Sequence, residues 1–194
     1  PVRKERRGLA DSLFTIGHSN HTLDRLRELL EQFAIEAVVD VRSSPNSRYS
    51  PQFNRDALAA SLAPAFRYAW MGDSLGGRPS APEFYDEAGH VLYGPLSRTP
   101  EFQRGLDQVE RNAARYRIAL LCAENQPAEC HRHLLIARCL RQRGFDPSAI
   151  RHILGDGSEV ADDAIASQAL LLEDAWRSPL SVLREPTLAP FSNA

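Results

Sequence analysis

All three cysteines of the 194-residue chain, Cys122, Cys130 and Cys139, fall in one stretch, LLCAENQPAECHRHLLIARCL (120–140), together with His131 and His133. Thiols, imidazoles and Glu124 in one short segment could serve a nucleophile, a general acid or base, or a metal. The run after Pro127 has the spacing of a helix, which puts Cys130 in its first turn. There, unpaired N–H groups and the helix dipole favour a thiolate, and His131 and Arg132 beside it add to the effect. Cys122 ends the apolar run RIALLC, and a cysteine at a strand end facing a helix N-terminus is also a recurring nucleophile geometry. Either residue could instead be a small buried side chain. Cys139, one turn beyond Leu135, is expected to pack. A metal could draw on Cys122, Cys130, His131, His133, His18 and His21. However, no Cys-x-x-Cys or His-x-x-x-His pair occurs, and neighbours such as Cys130 and His131 point apart on a helix. The expectation is no metal site.

Arginines supply a second chemistry. Lys4 is the only lysine, so almost all positive charge is guanidinium. Arg42, Arg48, Arg78 and Arg132 come from four separate segments, and guanidinium forks suit phosphate or carboxylate. Arg42 could equally pair with Asp40, two residues away. SLGGR contributes Gly76 and Gly77, where backbone can approach a ligand, and the start of the 127–144 helix is a seat for an anion. His18 and His21 flank Ser19-Asn20 and could act as bases near neutral pH or merely cap a neighbouring helix. His152, inside a strand pattern, is expected to be a satisfied core histidine, and His90 gives no signal.

Strand-like and helix-like patterns alternate along the chain and must position these groups. Strands are expected at 12–17, 36–42, 65–71, 117–122 and 149–154. Helices are expected at 22–33, 54–62, 100–116, 127–144 and 162–176. Leu23, Leu26, Leu29, Leu30 and Phe33 recur at helical spacing behind Thr22, a candidate N-cap. Residues 72–99 show no period. This alternation predicts an α/β three-layer sandwich with a mostly parallel central sheet, Rossmann-like, over 12–177. A flexible basic arm (1–11) would precede it, and an extended or disordered tail (178–194) would follow. Ligands in such sheets bind at the carboxyl ends of the strands, where 17–21, 42–50, 72–78 and 122–132 should share one rim.

Composition narrows the classes. A hydrophobic fraction of 43% with 25% charged residues is that of an ordinary globular protein. No apolar run reaches bilayer length and no signal peptide opens the chain, so no membrane association is expected. A net charge of −2 gives no global attraction to nucleic acid. Three cysteines in one segment make no disulfide framework, and a cytoplasmic location is expected.

TIGHSN, VVDVRSSPNSR, PQFN, SLGGRP and LLCAENQPAECHRHLLIARCL together resemble domain-of-unknown-function family 488. The likeness runs from about Thr15 to Ile153. It implies functional positions at Gly17, His18, Ser19, Asp40, Arg42, Pro45, Ser47, Arg48, Gly76, Gly77, Arg78, Cys122, Glu124, Cys130, His131 and Arg132. A fainter likeness of layout is to rhodanese-type sulfurtransferases, with a strand ending Asp-x-Arg and a cysteine-ended strand feeding an arginine-bearing helix. Here the loop from Cys122 to Arg132 is longer, and a second cysteine intrudes.

The expected function is a pocket for an anionic small molecule or nucleotide-like group. Arg42, Arg48 and Arg132 would hold the anion, His18 or Glu124 would move protons, and Cys122 or Cys130 would act as nucleophile, with His131 beside them. Two alternatives stand beside it. One is a nucleic-acid-associated protein using Arg3, Lys4, Arg6 and Arg7; the other is a binding module without chemistry. The pattern names no cofactor, and no coiled-coil repeat points to an oligomeric state.

Overall fold

Five β-rich runs form the strands the pattern predicts: four are largely buried, as strands inside a sandwich are, and the edge run Arg67–Trp70 alternates exposed and half-buried residues. In a computed structural model, described over residues 13–165 and 176–179, they are β1 (Leu13–Gly17), β2 (Ala37–Asp40), β3 (Arg67–Trp70), β4 (Ile118–Cys122) and β5 (Ile150–Ile153). All five are parallel. A sixth, β6 (Glu159–Ala161), pairs antiparallel to β5, and the order is β3-β2-β4-β1-β5-β6. β6 escapes the sequence pattern because it is three half-buried residues long.

Helices cover both faces. α1 (Leu23–Gln32) and α2 (Arg55–Leu62) pack Leu26, Leu29, Leu58 and Leu62 against Phe14, Val38 and Leu121. On the other face α5 (Pro100–Ala113) and the helix after β4 pack Phe102, Leu106 and Leu140 against Val39, Ile118 and Leu120. Two cores around one sheet make the three-layer sandwich. Thr22 caps α1 by accepting from the Arg25 amide, and Thr99 caps α5 through Phe102. Within the aperiodic 72–99 segment lie two single-turn helices, α3 (Gly72–Leu75) and α4 (Tyr93–Ser97).

The helix expected over 127–144 is built differently. Pro127–Glu129 is a 3-10 turn, and Cys130 is extended (φ −107°, ψ 142°). Helical backbone begins only at His131 and runs as a π-helix (Arg132–Ala137) before α6 (Arg138–Gln142), with the Arg138 amide donating to the His133 carbonyl. Cys130 therefore precedes the helix rather than lying in its first turn, and no regular N-terminal turn is available as the anion seat. Of the helix expected over 162–176, Asp162–Ala164 is a 3-10 turn, and 166–175 lie outside the described residues. The arm (1–11) and the tail beyond Pro179 also lie outside them, and with them Arg3, Lys4, Arg6 and Arg7. No helix among the described residues is long and apolar enough to cross a membrane.

The topology sets where a ligand can enter. β4 lies between β1 and β2. The chain leaves β1 and β2 toward the face of α1 and α2, but leaves β4 toward the opposite face. The diverging connections open a crevice beyond the end of β4, the switch-point position of open α/β sheets.

Candidate functional site

Register brings three strand ends level: Gly17 of β1 pairs with Cys122, and Asp40 of β2 with Leu121. The ladder continues past the strands, with the His18 and Ser19 amides donating to Cys122 and Ala123 carbonyls at 2.9 Å. Here a cleft of about 390 Å³ opens, walled by Arg42, Gly77, Arg78 and Tyr93 and floored by Cys122, Glu124, Cys130 and His131.

On the floor, Cys122 Sγ lies 2.5 Å from Glu124 Oε2 and 3.6 Å from His131 Nδ1. Cys130 Sγ lies 3.3 Å from the same carboxylate oxygen and 3.8 Å from the same ring nitrogen. The two sulfurs, the nitrogen and the oxygen all fall within 4.8 Å of one another. Because Cys130 is extended and His131 helical, the adjacent pair faces one point instead of diverging as two helical residues would. His131 Nε2 is 3.1 Å from the Val41 carbonyl, so that nitrogen carries the hydrogen and Nδ1 faces the sulfurs.

Electrostatics separate the two thiols. Burial opposes ionisation of Cys122, but the hydrogen bond from Cys130 and the charge on His131 bring its pKa down to about 6. Burial and the Cys122 sulfur push Cys130 well up. Burial opposes charge on His131, yet Cys122 and Glu124 raise its pKa. Burial opposes ionisation of Glu124 too, but the Cys122 hydrogen bond and His131 hold it down at about 2. A carboxylate held that low is a poor base, which leaves the ring as the better proton acceptor. Cys139 lies away from the cluster, and burial raises its thiol to about 11.

The arginines divide. Asp40, fully buried, accepts from the Arg42 backbone amide (3.1 Å), Nε (2.8 Å) and NH2 (2.5 Å), and from Tyr68 OH (2.7 Å). The Asp40–Arg42 pairing anticipated from the strand is real, and it holds the guanidinium at the cleft wall. Arg78 is exposed on the opposite lip. Arg132 is fully buried and donates to the Glu124 and Asn125 carbonyls, at 2.6 and 2.8 Å. It pins the loop after β4, and although its Nε has no partner among the described residues it is too deeply buried to present a fork to a ligand in the cleft. Arg48 is exposed and forms no part of the cleft wall.

The remaining expected positions act mainly on geometry. His18 is buried, stacked on Phe53 at 4.2 Å, with Nδ1 on the Ser19 carbonyl and Nε2 3.2 Å from Arg42 NH1. Burial lowers its pKa to about 4, so it is neutral at pH 7 and its lone pair is taken by Arg42. Ser19 turns the chain at φ 46°. A Cβ on Gly17 would come 1.9 Å from the Glu124 carbonyl oxygen. One on Gly76 would meet Ser43 Oγ at 2.3 Å, and one on Gly77 would meet His131 Cγ at 2.5 Å. The buried Pro45 accepts from the Arg55 amide, and Ser47 shapes a turn with Asn54 and Tyr49. Sequence reasoning missed Tyr93, whose position in an aperiodic segment gave no signal, and the Val41 carbonyl, which as backbone could give none.

The model of one protein family, described as domain of unknown function DUF488, matches residues 22–139, more than half of the chain. The chain belongs to that family. The matched span takes in the whole Arg42–Gly77–Cys122–His131 constellation, so the cleft lies almost entirely within DUF488 sequence. No curated protein and no solved structure matches the chain.

Proposed function

We propose that this DUF488 chain is a thiol-dependent transferase or hydrolase acting on a small anionic substrate, such as a phosphate-bearing or nucleotide-like molecule. The observation that carries this reading is a nucleophile–base–orienter arrangement at a cleft floor: Cys122 Sγ 3.6 Å from His131 Nδ1, with Nε2 fixed on the Val41 carbonyl. Arg78 on the wall supplies the charge complement for the anion, beside Arg42, whose own charge is paired with Asp40. In the reaction the Cys122 proton already rests on His131 Nδ1, and the thiolate sulfur forms a bond to the electrophilic atom. The bond to the leaving group then breaks, and the leaving group takes the proton from His131. Water or a second acceptor attacks the Cys122 adduct and restores the thiol.

The test is paired alkylation of reduced, chelator-treated protein with iodoacetate and iodoacetamide, read at each cysteine by peptide mass spectrometry. Cys122 is expected to label fastest and to prefer the anionic reagent, and Arg78→Ala to erase that preference. If Cys122 labels like a thiol of the denatured chain, or prefers the neutral reagent, the thiol mechanism fails. A binding module without chemistry would then be the better account.

A further inference from the structure

We propose that Cys122, Glu124, Cys130 and His131 form a binding site for one soft divalent cation, zinc by the character of its donors. Two sulfurs with one imidazole and one carboxylate are a donor set that favours zinc over the hard cations, which prefer all-oxygen shells. Sequence spacing argued against this, since it carries no zinc signature. The fold supplies what spacing could not: the extended Cys130 lets two adjacent residues aim at one point.

The geometry can be tested against a tetrahedron. Metal–sulfur bonds of about 2.3 Å and metal–nitrogen or –oxygen bonds of about 2.0 Å put neighbouring ligand atoms about 3.5 Å apart. Of the six edges of the tetrahedron, three of the four that join a sulfur to the nitrogen or oxygen, 3.6, 3.8 and 3.3 Å, lie close to that length, and the two edges outside those four are no longer than 4.8 Å. The fourth, Cys122 to Glu124 at 2.5 Å, must open by about 1 Å. Glu124 is the one member of the set that is only half-buried, so it is the side chain freest to turn. An independent feature is the outer contact of His131. A metal-bound imidazole almost always donates its other N–H to a carboxylate, water or backbone carbonyl, and Nε2 does so to Val41. The ring thus already holds Nδ1 toward the cluster. A carboxylate beside two buried sulfurs is also an arrangement that a cation stabilises, because each thiol that binds gives up its proton and the ion offsets the resulting charge. Arg78 lines the same cleft and complements the excess negative charge of three anionic ligands on one divalent ion.

The site concerns the side chains used in the proposed reaction but does not depend on that reaction. An ion there makes Cys122 a ligand, so loading closes the thiol to electrophiles.

The test uses the full chain, reduced and stripped of metal, titrated with zinc and separately with cobalt(II). One equivalent of either is expected to bind, and cobalt to show thiolate charge-transfer absorption with the visible bands of a four-coordinate site. Zinc is expected to protect both Cys122 and Cys130 from alkylation, a readout on the unaltered protein that needs no variant to fold. Cys130→Ser should abolish the charge-transfer change and weaken zinc by more than about 100-fold. Glu124→Gln should weaken it by about 10-fold. Binding below one equivalent, or binding indifferent to both substitutions, overturns the site. Absent zinc binding with fast, anion-preferring labelling of Cys122 sinks this inference and leaves the thiol enzyme standing. Stoichiometric zinc with ordinary labelling of the stripped protein upholds the site and removes the thiol enzyme.

Discussion

Replacing Asp40 by Asn tests whether the cleft wall is held by a buried ion pair. The carboxylate is fully buried and accepts four hydrogen bonds, two on each oxygen: the Arg42 amide and Nε on Oδ1, Arg42 NH2 and Tyr68 OH on Oδ2. Asparagine keeps one acceptor oxygen and so the Oδ1 pair. In place of Oδ2 it turns an N–H₂ donor toward two other donors, losing both of those bonds. Hydrogen bonds to charged groups are worth about 1.5–3 kcal/mol each, and a buried pair broken from one side costs about 3–5 kcal/mol. The two estimates agree, so Asp40→Asn is expected to destabilise by about 3–5 kcal/mol. At about 2–4 °C per kcal/mol for a domain of this size, that is a fall in Tm of roughly 10 °C. Urea melts of both proteins give the free-energy difference. Replacing Asp40 by Leu and Arg42 by Met together should cost less than Asp40→Asn alone, because no orphaned charge remains. A loss under about 1 kcal/mol for Asp40→Asn would refute the reasoning, since it would mean Arg42 finds equal solvation without its partner.

Two further outcomes follow from the packing. Gly77→Ala would drive a methyl into the His131 ring, 2.5 Å from Cγ and 2.9 Å from Nδ1. It should slow iodoacetate labelling of Cys122 by about 10- to 100-fold, at about 1–3 kcal/mol in a urea melt, and unchanged labelling would show that the ring's place is unimportant. On the α5 side of the sheet, Asp162 Oδ1 accepts from His133 Nδ1 and from His152 Nε2 at 2.9 Å, while Thr15 Oγ1 meets His152 Nδ1 at 2.7 Å. Burial lowers the pKa of His152. Asp162 is also lowered, because its bonds from the two histidines outweigh burial. Both folded values lie below their unfolded ones, so the unfolded chain binds more protons in acid. The His152 contribution is complete above about pH 6.5 and lost below it, and the Asp162 contribution is lost below about pH 4. Stability followed by urea melts should fall in two stages on acidification, and His152→Gln should shrink the first to the share of His18, whose pKa is lowered in the same sense to about 4; a flat profile from pH 7 to 4 would contradict the assignment.

How much of this was legible depends on which interactions are local. β1, β2, β4 and β5 were legible because burial on both faces writes an apolar run directly into the chain, whereas β3, at the edge, is only half-buried. α1 was legible because its leucines and Thr22 mark a face and a start. The gathering of loops at one rim followed from topology alone. What failed needed backbone detail or distant partners. Cys130 reads as helical because Pro127 and the later leucines do, yet three residues of 3-10 turn and one extended residue precede the helix. That difference reverses the inference about where Cys130 and His131 point. Arg132 reads as a ligand binder because guanidinium types do not reveal whether their partners are phosphates or, as here, the carbonyls of Glu124 and Asn125. His18 reads as a base for the same reason, although Arg42 occupies its lone pair.

The three consecutive residues His131, Arg132 and His133 carry the argument for function one step further. All are buried, which no amphipathic helix on a simple apolar layer requires of three adjacent polar side chains. Each enters a different environment: His131 the cleft floor, Arg132 the carbonyls of the loop after β4, and His133 the Asp162 network. The π-helical turn that begins here widens the spacing of successive side chains, a departure found most often at functional sites. Buried polar networks are commonly no more stabilising than well-packed apolar side chains. Stability alone therefore does not account for three of them meeting at one turn. Together they hold residues 122–132 from the α5 and α6 side of the sheet and fix the sulfur and imidazole positions before any ligand arrives, leaving only the Glu124 carboxylate to turn toward a cation. That preorganisation is what either a thiol nucleophile or a cation site needs. It also implies that Arg132 serves the site by holding its loop rather than by touching a ligand.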